Sequence, residues 1–151
     1  MDKSIGREVN LFINRINRQV SNIVSKYGIT GSQAHIINFI YNESMARDVF
    51  QRDIEKEFDI RRSTTTNALQ LMEAKGFILR QSVSIDARLK KVLLTEKGII
   101  IQKKVSNIIM QSEHALRDKL NDNEYDTLVT IIEKLSNLDL KELKEETNNE
   151  N

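Results

Sequence analysis

Between Gln51 and Gly98 the apolar spacing changes from helical to strand-like, and that change limits the folds open to the chain. The stretch QRDIEKEFDIRRSTTTNALQLMEAKGFILRQSVSIDARLKKVLLTEKG begins as two short amphipathic helices and ends as a basic, β-branched hairpin. Val49 to Phe58 reads as the first helix, with Ile54 and Phe58 one turn apart, and Asp59 and Ile60 form a tight connection. From about Arg62 to Lys75, Thr65, Ala68, Leu69 and Met72 recur at the three- and four-residue spacing of one buried helical stripe. The opposite face carries Ser63, Thr64, Thr66, Asn67 and Gln70. Gly76 supplies the cap, because glycine takes the left-handed conformation that ends a helix at little cost. Phe77 to Val83 and Lys91 to Leu94 are β-prone and flank Ser84 to Lys90, so they read as two strands joined by a long tip. Helix, helix and hairpin in that order read as a winged helix-turn-helix in a mainly α chain.

The flanks are helical too. Ile5, Val9, Phe12, Ile13, Ile16, Val20, Ile23 and Val24 form one stripe over residues 5–26, which Tyr27 and Gly28 end. Thr30-Gly31-Ser32-Gln33 is a capping-box sequence, followed by the broad apolar face of Ile36, Ile37, Phe39, Ile40 and Tyr41. Thr95 caps a long helix that ends near Leu120. Asn121-Asp122-Asn123-Glu124 opens a last one carrying Tyr125, Leu128, Val129, Ile132, Leu135 and Leu138. The chain has no proline to interrupt these periods. The terminal helices hold more large aliphatics than three short helices and a hairpin can cover. Ile5, Val9, Phe12 and Ile13, with Leu128, Ile132, Leu135 and Leu138, are therefore the expected homodimer interface.

The polar face of the second short helix suits nucleic acid. Arg61, Arg62, Ser63, Thr64, Thr66, Asn67 and Gln70 offer donors and short hydroxyls, the groups that meet phosphates and base edges, so double-stranded DNA is the expected partner. Asn and Gln pair with adenine and Thr methyls touch thymine, which points to an A·T-rich site. In the hairpin, Asp86 stands two residues before Arg88, placed to orient a guanidinium entering a narrow minor groove, and Lys90 and Lys91 can neutralise phosphates.

A formal net charge of +1 does not oppose this, because charge acts locally. Residues 60–92 hold seven basic side chains (Arg61, Arg62, Lys75, Arg80, Arg88, Lys90, Lys91) against Glu73 and Asp86, a local +5. The segment from Asp139 to Asn151 carries five acids and two lysines, a local −3.

On these residues the chain resembles the MarR family of bacterial transcription regulators. The resemblance runs from about Ser4 to Leu140 and is strongest at ITGSQAHIINFI, DIRRSTTTNALQLMEAKGFILR and DARLKKVLLTEKG. The last is similar to the family's wing signature, an Asp-x-Arg pair followed by Leu-Thr-x-x-Gly, here Asp86, Arg88, Leu94, Thr95 and Gly98. The resemblance implies one domain over residues 1–142, with the winged helix-turn-helix at about 30–98 and dimerisation helices at 1–28 and 99–142, while the composition of 143–151 reads as a polar, disordered tail. It implies a homodimeric repressor that leaves a near-palindromic operator when a small aromatic or cationic effector binds. The chain departs from the family at Arg61, where Ser or Thr often caps the recognition helix, and at Ser63, often Pro. Glu55 replaces a small residue and Asp59 a glycine.

Other functions find less material. There is no cysteine for a disulfide or thiol nucleophile, no phosphate loop, no nucleophile beside a base, and hence no expectation of an enzyme or of a cofactor. His35 and His114 fall short of the three or four ligands of a zinc site, since Met110 stands one turn before His114 where a second histidine would pair with it, so no metal is expected. Phe12, Phe39 and Tyr41 read as core more than as an effector pocket. No apolar run approaches the ~20 residues that span a bilayer, so no membrane association and a cytoplasmic location are expected. The alternative is a winged helix whose basic wing meets an acidic protein instead of DNA.

Overall fold

The computed structural model describes residues 3–83 and 85–140, with the side chains of all of these except Asp86 and Ala87. The polar tail expected at 143–151 lies outside the described residues. The elements are α1 (Ile5–Val24), a 3-10 turn (Ser25–Tyr27), α2 (Gly31–Ser44), α3 (Gln51–Glu57), α4 (Arg62–Ala74), β1 (Ile78–Val83), β2 (Asp86–Leu94), α5 (Glu96–Arg117) and α6 (Asp122–Ser136). This is the mainly helical winged helix-turn-helix with one antiparallel β1–β2 hairpin. The chain divides into two compact units, Met1–Ser112 and Glu113–Asn151, with the boundary falling within α5.

In the first unit the core gathers one apolar stripe from each element. Val20 and Val24 of α1, Ile37 and Ile40 of α2, Ile54 of α3, Leu69 and Met72 of α4, Ile78 and Val92 of the hairpin, and Val105 of α5 are all buried. Caps fix where the helices begin. The Thr30 hydroxyl accepts from the Gln33 amide at 3.2 Å, and the Gln33 side chain accepts from the Thr30 amide at 3.1 Å. Gly28 and Gly76 end their helices at φ 74° and 77°, backbone that a Cβ would strain.

The hairpin differs from its sequence reading. Asp86 to Lys90 belong to β2, which pairs Ser82 with Lys90 and Val83 with Asp86 across a register shift, so five of the seven residues expected in the tip are strand. Polar residues in a solvated hairpin carry no apolar alternation, so composition alone understates the strand. β2 is also bridged from its other side, where the Val92 amide donates to the Val49 carbonyl at 2.7 Å and Phe50 pairs with Lys91.

The Leu-Thr-x-x-Gly run has a structural task. The Thr95 hydroxyl donates to the Gly76 carbonyl at 2.5 Å and accepts from the Gly98 amide at 3.1 Å, while the Thr95 amide donates to the Phe77 carbonyl at 3.0 Å. Gly98 is buried against that carbonyl, where a Cβ would lie 2.1 Å from the oxygen. The end of α4, the start of β1 and the start of α5 are joined at this point.

The N-terminal half of α1 lies apart from the core. Ile5 is 65 % exposed, Phe12 51 %, and Val9 and Ile13 about half. In the second unit α6 has no buried residue; Leu128, Ile132 and Leu135 are exposed along it, and Leu138 is exposed just past its end. Its start is well made: Asn121 and Glu124 cap each other, and Arg117 pairs with Asp122 and stacks 4.4 Å from the Tyr125 ring.

Candidate nucleic-acid interface

The turn between α3 and α4 sets how the polar helix is presented. Asp59 adopts φ 46°, a left-handed conformation that glycine takes freely and that Asp tolerates better than most residues, which accounts for an acid at this position. The Phe58 amide donates to the Ile54 carbonyl and the Ile60 amide to that of Glu55, both at 3.1 Å. Arg61 occupies the cap position of α4 with extended backbone and makes no side-chain cap. Thr65 instead turns its hydroxyl back onto the Arg61 carbonyl at 3.3 Å.

Across the α3–α4 junction, Gln51 joins the two helices. Its amide nitrogen donates to the Glu55 carboxylate at 3.0 Å and to the Thr66 hydroxyl oxygen at 2.9 Å. Gln51, Glu55 and Thr66 then form one wall of a groove of about 540 Å³ bounded by α3, α4 and the hairpin. Arg52, Arg62, Arg80, Arg88 and Lys90 line it, and Glu55 is the one acid among its described lining residues. Gln70 completes the α4 side, so Arg62, Thr66 and Gln70 follow one another at four-residue steps along a single face.

The structure sorts the residues expected from the sequence. Arg62, Thr66, Gln70, Arg88 and Lys90 come together in the groove. Arg61, Ser63, Thr64 and Asn67 are exposed on the first turns of α4, outside its lining. Lys91 is set apart: its ammonium lies 2.5 Å from the Asp48 carboxylate, on the opposite side of the strand from Lys90, as alternation requires. The expected Asp86–Arg88 contact involves a side chain outside the described residues. Phe39 meets Phe58 edge to face at 5.7 Å and Phe12 is exposed, so these rings stand apart from the groove; His35 is half-buried and His114 exposed.

Sequence reasoning missed Arg52, the Gln51 bridge and the pairing of Arg80. Arg80 donates through Nη2 and Nε to Glu73 at 2.7 and 3.0 Å, and its backbone amide reaches the other Glu73 oxygen at 3.1 Å. This fork, followed by the backbone bond and the nearby Lys90 charge, holds the Glu73 carboxyl below its ordinary range despite some desolvation. A visible signal existed for Arg52 alone, which lies on the polar side of a seven-residue helix whose buried residue is Ile54.

Residues 27–89 match the sequence model of the MarR family. The chain is similar to the crystal structure of the transcription regulator MarR from Oenococcus oeni PSU-1, with 28% identity over 89% of this chain and 100% of that one, at a TM-score of 0.76. It is also similar to S. aureus MepR in a DNA complex, with 22% identity over 89% of this chain and 96% of that one, at a TM-score of 0.81. A mutant of MarR from E. coli complexed with operator DNA gives 20% identity over 87% and 92% of the two chains and a TM-score of 0.72.

Proposed function

We propose that this chain, which matches the MarR family model over residues 27–89 and shares the fold of MarR-type regulators, is a DNA-binding transcription regulator rather than an enzyme, and that it acts as a cytoplasmic, sequence-specific homodimeric repressor. The observation that carries this reading is the groove in which Arg52, Arg62, Arg88 and Lys90 flank Thr66 and Gln70. Cations there neutralise phosphates and fix register, while amides and hydroxyls on α4 read base edges in the major groove. Ser63, Thr64 and Asn67 extend that surface along the first turns of the helix. Arg88 on each hairpin enters the flanking minor groove, where a guanidinium is favoured by the narrowed electrostatic potential.

The exposed aliphatic faces of α1 and α6 support a dimer, since water-facing Ile, Leu and Phe at this density favour a second copy. A two-fold dimer addresses half-sites about one helical turn apart, hence a near-palindromic operator. A small aromatic or cationic effector releases the operator by binding better to a dimer whose recognition helices are wrongly spaced, because only differential affinity shifts such an equilibrium.

Footprinting on the DNA upstream of the chain's own gene tests this. The expected result is protection with two-fold symmetry, loss of the flanking protection in Arg88→Ala, and release by a phenolic or cationic compound. Binding without sequence preference at every segment tried would overturn the repressor reading.

A further inference from the structure

Arg80 is held through both its side chain and its backbone. Its guanidinium fork and its backbone amide all converge on one carboxylate, that of Glu73 in the last turns of α4. The pair is partly enclosed, the Arg80 side chain 16% and that of Glu73 33% exposed. The Glu73 oxygen that accepts from both Nε and Nη2 occupies the site that a phosphate oxygen would take on the same guanidinium.

The position of the pair gives this substitution a consequence. On one side of the hairpin, Ile78 and Leu94 are paired at the core, Arg80 and Val92 follow, and Ser82 and Lys90 come next. Arg80 therefore stands at the root of the row that ends in Lys90, at the junction of the hairpin and α4. Each further phosphate neutralised strengthens binding to every DNA sequence alike, whereas a regulator works by the ratio of specific to non-specific binding. The lowered pKa of Glu73 keeps it charged, and so keeps Arg80 occupied, at neutral pH.

We infer that Glu73 is a built-in phosphate substitute, which withdraws Arg80 from the DNA groove, ties the root of the wing to the recognition helix and so restrains sequence-independent DNA binding. Glu73 is thus a positioning and specificity residue that never touches DNA. The inference rests on the DNA-binding reading above.

The test measures the salt dependence of binding to a short duplex of arbitrary sequence for the full chain and its Glu73→Gln, Arg80→Gln and double variants, with melting curves to establish that each is folded. Glu73→Gln should bind more tightly at low salt, and its log K against log salt should steepen by about 0.9, the contribution of one phosphate contact. Between roughly 50 and 200 mM salt that adds a three- to fourfold loss of affinity to the wild-type loss. The double variant should return to the wild-type slope, and Arg80→Gln, with Glu73 uncovered, should bind more weakly than either. Glu96→Gln, the same charge change outside the groove lining, should keep the wild-type slope. A purely structural pair would lower the melting temperature of the variants and leave their slopes alike. Equal slopes for Glu73→Gln and the double variant would therefore overturn the inference and leave DNA binding standing. A wild-type chain with no salt-sensitive affinity for any duplex would overturn both.

Discussion

Gly98→Ala should be the most damaging single methyl in the chain. A Cβ there would lie 2.1 Å from the Phe77 carbonyl oxygen, 3.1 Å from its carbon and 3.3 Å from a Leu94 methyl. The oxygen must retreat by more than about 1 Å to reach ordinary contact, and it belongs to buried backbone that accepts the Thr95 amide at 3.0 Å. That retreat weakens the Thr95–Phe77 bond and the cap from Thr95 to the Gly98 amide, each about 1 kcal/mol, and adds about 1–3 kcal/mol of overpacking. The alanine regains about 0.5–1 kcal/mol through lower unfolded-state entropy. The net loss is about 2–4 kcal/mol, a large part of the about 5–15 kcal/mol that holds a typical protein folded. Urea unfolding followed by circular dichroism, at fixed protein concentration, should show the midpoint falling by about 1–2 M. Gly6→Ala serves as the control, because nothing lies within 4 Å of its added Cβ, and it should stabilise slightly. A Gly98→Ala protein within about 0.5 kcal/mol of wild type would refute the reasoning, since the Phe77 carbonyl would then be free to move.

Arg61→Thr places a capping hydroxyl on an uncapped helix and should stabilise by about 1 kcal/mol, a rise of about 2–4 °C in melting temperature; an unchanged melt would contradict it. Lys90→Ala should flatten the salt dependence of DNA binding by about 0.9, whereas Lys91→Ala, which breaks a pair with Asp48, should leave the slope unchanged and lower stability. Glu73 gives a pH dependence of known sign: its folded pKa is lowered, so its contribution is complete above the ordinary value of 4.5 and is lost as pH falls through the lower folded value. The stability gap between wild type and Glu73→Gln should therefore shrink on acidification, and a gap that holds or widens in urea titrations would contradict the pairing. Ile132→Glu, at a side chain 54% exposed on α6, should give a folded monomer by sedimentation, and a persistent dimer would remove α6 from the interface.

Helix starts and stops were legible in the sequence because their causes are local. Thr30 with Gln33, Asn121 with Glu124, and Thr95 with Gly98 each lie three residues apart, and all three form hydrogen bonds. The exposed stripe of α1 was legible for the same reason: periodicity assigns a face, and the count of aliphatics exceeds what the core can hold. The bridge from Gln51 to Thr66 spans fifteen residues and depends on the angle of a turn set by Asp59 at positive φ. The Lys91–Asp48 pair depends on a bridge at Phe50 that is too short to carry a strand pattern.

Tertiary pairing decides which cations remain available to phosphate. The window from Ile60 to Val92 carries a local +5, but Lys75, Arg80 and Lys91 within it serve the fold. The Lys75 ammonium donates to the Gly28 carbonyl at 2.6 Å, Arg80 is held by Glu73, and Lys91 is held by Asp48, which lies outside the window. Arg52, also outside it, lines the groove beside Arg62, Arg88 and Lys90. The number of cations facing the groove is therefore set by tertiary pairing, and counting basic residues along the chain overstates the salt sensitivity that the surface can produce. Screening weakens exposed contacts more than enclosed pairs, so the Arg80–Glu73 pair should outlast the DNA contacts as salt rises. On this account a chain with a net charge of only +1 concentrates its attraction for phosphate on one groove, while Lys75, Arg80 and Lys91 hold the wing and the helix ends in place.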